Sequence, residues 1–141
     1  MNWEYPSAML NLPTPTLNLF ADLSVQVDKP QEVGITHHGV RRLIPILGGQ
    51  VEGNGWTARV LPGGADFQLI VGDGTQAHLD ARYVLELQDG SRVFVQNTAL
   101  RVASAEDSAK IRRGEPVDPA RVYFRCQPKF EATHPQWAWL A

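Results

Sequence analysis

A chain of 141 residues, 43% hydrophobic and 20% charged, falls in the range of one globular domain and can bury a core without disulfides or metals. The formal net charge of −2 argues against nucleic acid or an anionic membrane as a partner, since neither would meet a basic field. The lone cysteine, Cys126, rules out an internal disulfide framework and fits a reducing compartment; with no signal-like start and no membrane-length apolar run, the expected location is the cytoplasm.

Residues 1–16 contain Pro6, Pro13 and Pro15 and read as an irregular arm, followed by a single domain over 17–141. Leu17, Leu19, Ala21, Leu23, Val25 and Val27 alternate with mostly polar residues, the period of a strand with one apolar face, and Pro30 ends it. A second strand is expected over Gly39–Val51, with Gly48-Gly49 marking a bulge or a close backbone approach. A third covers Trp56–Leu61 and a fourth Asp66–Val71. The dipeptides Asp73-Gly74 and Asp89-Gly90 predict type I′ hairpins around a fifth strand, Gln76–Gln88, and a sixth, Ser91–Val102. Ser104, with Asp107 three residues on, approximates a capping box for one short helix that Gly114 and Pro116 stop. Arg121–Gln127 reads as a seventh strand and Gln136–Leu140 as an eighth. Short strands, hairpin turns and almost no helix predict an all-β fold, a single antiparallel β-barrel of about eight strands with one short helix.

The fifth strand places Ala77, Leu79, Ala81, Tyr83, Leu85 and Leu87 on one side and His78, Asp80, Arg82, Val84 and Glu86 on the other. The second set either forms surface ion pairs or lines a pocket. Asp66 and Gln68 share a face of the fourth strand, and Tyr123, Arg125 and Gln127 share one of the seventh. Glu52, Asp66, Arg125 and Glu131 stand beside glycines, aromatics or prolines rather than in charge runs. A carboxylate against an apolar wall acquires a raised pKa suited to acid–base work, whereas an arginine stays charged and stabilises an anion. Adjacent His37 and His38 point apart on an extended chain, and His78 with Asp80 supplies only two ligands, so no metal is expected. The glycine-rich segments lack the lysine of a phosphate-binding loop. Cys126 reads as a small apolar residue, and Trp137 and Trp139 as core or as the wall of a pocket.

The stretch Val40-Arg41-Arg42-Leu43-Ile44-Pro45-Ile46-Leu47-Gly48-Gly49, then Glu52-Gly53, then Leu61-Pro62-Gly63-Gly64-Ala65-Asp66, resembles domain-of-unknown-function family 3237. So do Leu79-Asp80-Ala81-Arg82-Tyr83 before Asp89-Gly90, and Tyr123-Phe124-Arg125 before Phe130-Glu131 and Ala138-Trp139-Leu140. The resemblance covers residues 17–141 and implies a closed or nearly closed β-barrel of small bacterial and fungal proteins, often dimeric. It also implies a kinship with fungal cyclases that close an oxygen heterocycle by adding a hydroxyl across an alkene, chemistry that needs an apolar cavity with one acid and one base. Members usually run past the Trp-Leu pair into another short strand, and carry a threonine-like residue where this chain has Cys126.

Three functions stay open at this point. The first is a cofactor-independent lyase or isomerase, such as a cyclase, with Asp66 or Glu52 as base, Arg125 as electrostatic stabiliser and Tyr83 or Tyr123 as hydrogen-bond donor. In it Gln68, Asp80, Arg82, Glu131 and Trp139 line the substrate. The second is a barrel that binds a small organic ligand without chemistry, and the third a structural homodimer or higher homo-oligomer.

Overall fold

A computed structural model describes residues 12–141. Residues 1–11 of the expected arm lie outside the described residues, and 12–20 form neither helix nor strand. Eight strands follow: β1 (Ala21–Val27), β2 (Gln31–Thr36), β3 (Gly39–Gly53), β4 (Trp56–Val60), β5 (Ala65–Val71), β6 (Gln76–Leu87), β7 (Arg92–Val102) and β8 (Tyr123–Ala132). They form one antiparallel sheet, accompanied by a short helix, α1 (Ala105–Arg112). Among the described residues no helix is long and apolar enough to cross a membrane.

The length of β3 organises the sheet. Its first half pairs with β2 and β5, and its second half with β1 and β4. The path then continues through β6 and β7 to β8. Ile46, Val51, Val60, Tyr83, Leu85, Leu87, Val93 and Val95, drawn from β3, β4, β6 and β7, make one buried cluster with Trp137. With so little helix to cover it, the sheet buries that face by curling on itself. Among the described residues no backbone pairing joins β8 to β1 or β2. Side chains meet there instead: Phe20, ahead of β1, packs edge-on against Phe130 of β8 at 6.1 Å and against Trp139 at 5.7 Å.

Local signals act where the residues place them. Ser104 Oγ accepts the Asp107 N–H at 3.1 Å, and Gly114 takes φ +77° after the last turn of α1. The register of β1 on β3 shifts at Gln26/Val27, opposite Gly48, and a Cβ on Gly49 (φ +149°) would overlap the Ser24 carbonyl.

Several expectations are corrected. The alternation from Leu17 does not become strand until Ala21, because Ala21 pairs with Gly53 and β3 ends there, leaving the earlier residues no partner. β2 is an unexpected strand whose pattern is broken by Gly34 and by a register shift between Glu32 and Gly34. The hairpins at Asp73 and Asp89 are not type I′, since among the described residues none other than glycine has positive φ. Each aspartate instead accepts the backbone N–H two residues on, from Thr75 at 3.2 Å and Ser91 at 2.9 Å. The seventh strand of the prediction starts at Tyr123, after a 3₁₀ turn over Pro119–Arg121, and runs through Pro128 to Ala132; as an edge strand it tolerates that proline. The expected strand over Gln136–Leu140 is a 3₁₀ helix, Pro135–Leu140. Its three-residue turn brings Trp137 and Leu140 together onto the core, while Trp139 is 67% exposed.

Candidate functional site

The face of the sheet that carries the apolar core also carries a group of polar side chains. On β6, Ala77, Leu79 and Ala81 share a face with Tyr83, Leu85 and Leu87; on β7, Asn97, Ala99 and Arg101 continue the face of Val93 and Val95. Across the strands, Ile44 lies opposite Asp66 and Arg42 opposite Gln68, while Ala81 lies opposite both Asp66 and Asn97, and Ala77 lies opposite Arg101. Arg42, Asp66, Gln68, Asn97 and Arg101 therefore gather on one half of the face, with Tyr83 between them and the apolar half.

Asp66 is half-buried and tied at both oxygens. Gln68 Nε2 donates to Oδ2 at 2.7 Å, and the Asp80 backbone N–H donates to Oδ1 at 3.1 Å. The β5–β6 register passes from Asp66/Ala81 directly to Leu69/His78, so the Asp80 amide meets a carboxylate instead of a carbonyl. Burial pushes the Asp66 pKa above the ordinary 3.8; the Gln68 and Asp80 hydrogen bonds and the Arg101 charge oppose that shift in part. The Arg101 guanidinium is pulled down by burial and by the like charge of Arg42, and the Asp66 charge offsets this in part. Burial raises the Tyr83 phenol, with a smaller contribution from Cys126.

Among the described residues two buried polar atoms have no hydrogen-bond partner, Arg42 Nε and Asn97 Oδ1. Arg42 is only 3% exposed, and its Nε lies 3.3 Å from Glu32 Oε1, close enough to count as an ion pair but not aligned as a hydrogen bond. Along β8 the same face opens to solvent: Phe124, opposite Arg101, is 50% exposed, and Cys126, opposite Ala99, is exposed as well.

Of the residues singled out in the sequence, Asp66, Gln68 and Tyr83 come together here. The others lie elsewhere. Glu52 is exposed and lines an open groove of about 440 Å³ with Arg59 and Glu86. Asp80 and Arg82 point to the opposite face and pair with each other at 3.0 Å. Arg125 is exposed on β8, donates to the Phe124 carbonyl at 2.8 Å and lies over the exposed Tyr123 ring at 5.2 Å. Glu131 is exposed on the same edge strand, and Trp139 packs against Phe20. The expected grouping of Asp66, Glu52 and Arg125 is thus not assembled, because Glu52 and Arg125 occupy outward positions on their strands.

Arg42, Asn97 and Arg101 are the residues that sequence reasoning missed. Strand parity held the signal: Arg42 has the parity of Ile44 and Ile46, and Asn97 and Arg101 that of Val93 and Val95.

A family model described as "Protein of unknown function (DUF3237)" matches residues 15–141. A UPF0311 protein of Rhodopseudomonas palustris is 43% identical over 129 residues, spanning 90% of this chain and 84% of its own length. The crystal structure of that protein, described as conserved and of unknown function, superposes with a TM-score of 0.81 over 91% of this chain and 84% of that one. A "beta-barrel like protein" from Acinetobacter baumannii, 35% identical, superposes with a TM-score of 0.68 over 92% and 84% of the two chains. A match over nearly the whole described chain, joined to this identity and this superposition, makes the chain a member of the DUF3237 family.

Proposed function

We propose that this protein binds a small polar organic molecule on the polar half of its buried sheet face, with the curled sheet acting as a barrel-like container. The observation that carries the reading is a pair of buried polar atoms without an aligned hydrogen-bond partner, Arg42 Nε and Asn97 Oδ1, on a face that opens to solvent along β8. A buried donor or acceptor left unmade costs about 1–3 kcal/mol. Most native interiors avoid that cost, and the exceptions mark strain, a functional group or a site completed by a water, an ion or a ligand. Within the proposed site Asp66 is assigned the proton-transfer role, supported by its burial on this face, and Arg101 the electrostatic role expected of Arg125.

The test is a backbone-amide NMR titration with three probes of similar shape: phenol, benzamide and benzoate. At least one is expected to shift the amides of Gln68, Asn97 and Arg101 saturably while leaving those of Arg59 and Glu86 in place. No saturable shift from any probe up to about 10 mM, beyond the weak end of specific binding, would overturn the proposal. Shifts confined to the groove beside Glu52 would overturn it too.

A further inference from the structure

We infer that the ligand of this site is an anion, a small carboxylate on a flat apolar body, recognised by Arg42 and Arg101; the inference rests on the binding site proposed above. The charge inventory on the polar half leads to it. Two guanidiniums are present on this face, Arg42 opposite Gln68 and Arg101 opposite Ala77, and the like charge of Arg42 bears on Arg101. Against them stands Asp66, whose two oxygens are already taken by Gln68 and the Asp80 amide. Glu32 reaches Arg42 from β2, but its side chain is half exposed and makes no hydrogen bond to the Nε. Among the described residues no carboxylate lies within ion-pair distance of Arg101, although that side chain is half-buried.

Helix α1 adds to the imbalance. It sets Arg112 and Ser108 beside Arg101 in a narrow cleft that also touches Ile70 and Ala77. The cleft is too tight to admit a water molecule, so a ligand reaches Arg101 from the open β8 side, past Phe124. A desolvated guanidinium without a partner is unfavourable, and a carboxylate meets its planar donor fork with paired, charge-assisted hydrogen bonds. The remaining neighbours on this face, Ile44, Leu79 and Phe124, are apolar and suit a ring rather than a sugar or a polyol.

Benzoate and benzamide separate charge from shape, since both present the same ring and a planar head group. On the unaltered protein benzoate is expected to bind at least about tenfold more tightly than benzamide, read by NMR titration. Arg101→Met is expected to weaken benzoate by about tenfold or more and to leave benzamide unchanged. Arg42→Met gives the same readout from the other guanidinium if the first variant does not fold. Equal affinity for the two probes overturns the anion assignment while leaving the binding site standing, and so does a folded Arg101→Met variant with undiminished benzoate affinity. Binding of neither probe, with phenol also silent, overturns both proposals.

Discussion

The strands β3, β6 and β7 each pass through two different interiors. In one half their buried face supplies Val51, Leu85, Leu87, Val93 and Val95, closed over by Trp137. In the other half the same face supplies Arg42, Asn97 and Arg101, joined by Asp66 and Gln68 of β5. Burying a valine or leucine contributes about 1.5–3 kcal/mol, whereas each orphaned polar atom costs about 1–3 kcal/mol. The apolar half therefore stabilises the curled sheet, and the polar half is carried at its expense. A face that holds the fold at one end and subtracts from it at the other is what a binding site built on a rigid scaffold requires.

The contrast is broken most forcefully by substitution in the apolar half. Leu85→Ala, at a 5% exposed position against Val60 and Val93, is expected to lower unfolding free energy by about 2–5 kcal/mol in a urea titration. A loss below about 1 kcal/mol would mean that this cluster does not carry the stability assigned to it. In the polar half the sign reverses. Asn97→Leu keeps the branched shape and removes the unpartnered carbonyl, so it is expected to raise stability by about 1 kcal/mol. A loss of that size instead would show that Asn97 is satisfied in solution and that the polar half is structural.

Much of this division was present in the residue pattern, and the remainder was hidden for physical reasons. The apolar side of β6 follows from period-two alternation over Ala77–Leu87, and Ser104 and Gly114 delimit α1 by capping chemistry alone. Asp66 and Gln68 fall on a shared face by the same rule. Arg41 and Arg42, however, are chemically identical neighbours that point to opposite sides; parity with Ile44 and Ile46 marks Arg42 as the inward one, and pairing with Gln68 sets it on the polar half. Glu52 and Arg125 stand out by their local neighbours, yet the register shift opposite Gly48 turns Glu52 outward although it shares the parity of Arg42 and Ile46, and parity on β8 turns Arg125 outward. β2 and the Pro135–Leu140 turn were misread for the same reason, that periodicity reports one strand at a time. A bulge at Glu32/Gly34 hides a real strand, and alternating Trp137 and Trp139 imitate one in a 3₁₀ helix.

The smallest expected effect is also the most specific to the polar half, because it reads the electrostatics of Asp66 directly. Its pKa is raised by burial, so between the ordinary 3.8 and the higher folded value the native state holds a proton that the unfolded chain has released. Stability attributable to this carboxylate is therefore fully present below pH 3.8 and is lost as pH rises through the folded pKa. Surface carboxylates such as Asp80 and Glu86 act the other way, since their arginine partners lower their pKa values and their contribution is lost as pH falls. The difference between the wild type and Asp66→Asn cancels that background. Urea unfolding of both proteins from about pH 3.5 to pH 7 is expected to show the wild type losing stability relative to the variant as pH rises. The gap should be flat above the folded pKa. A wild type that instead gains stability relative to the variant as pH rises would mean that Asp66 is held as a paired anion in the folded protein, and would overturn the burial-dominated electrostatics assigned to the polar half.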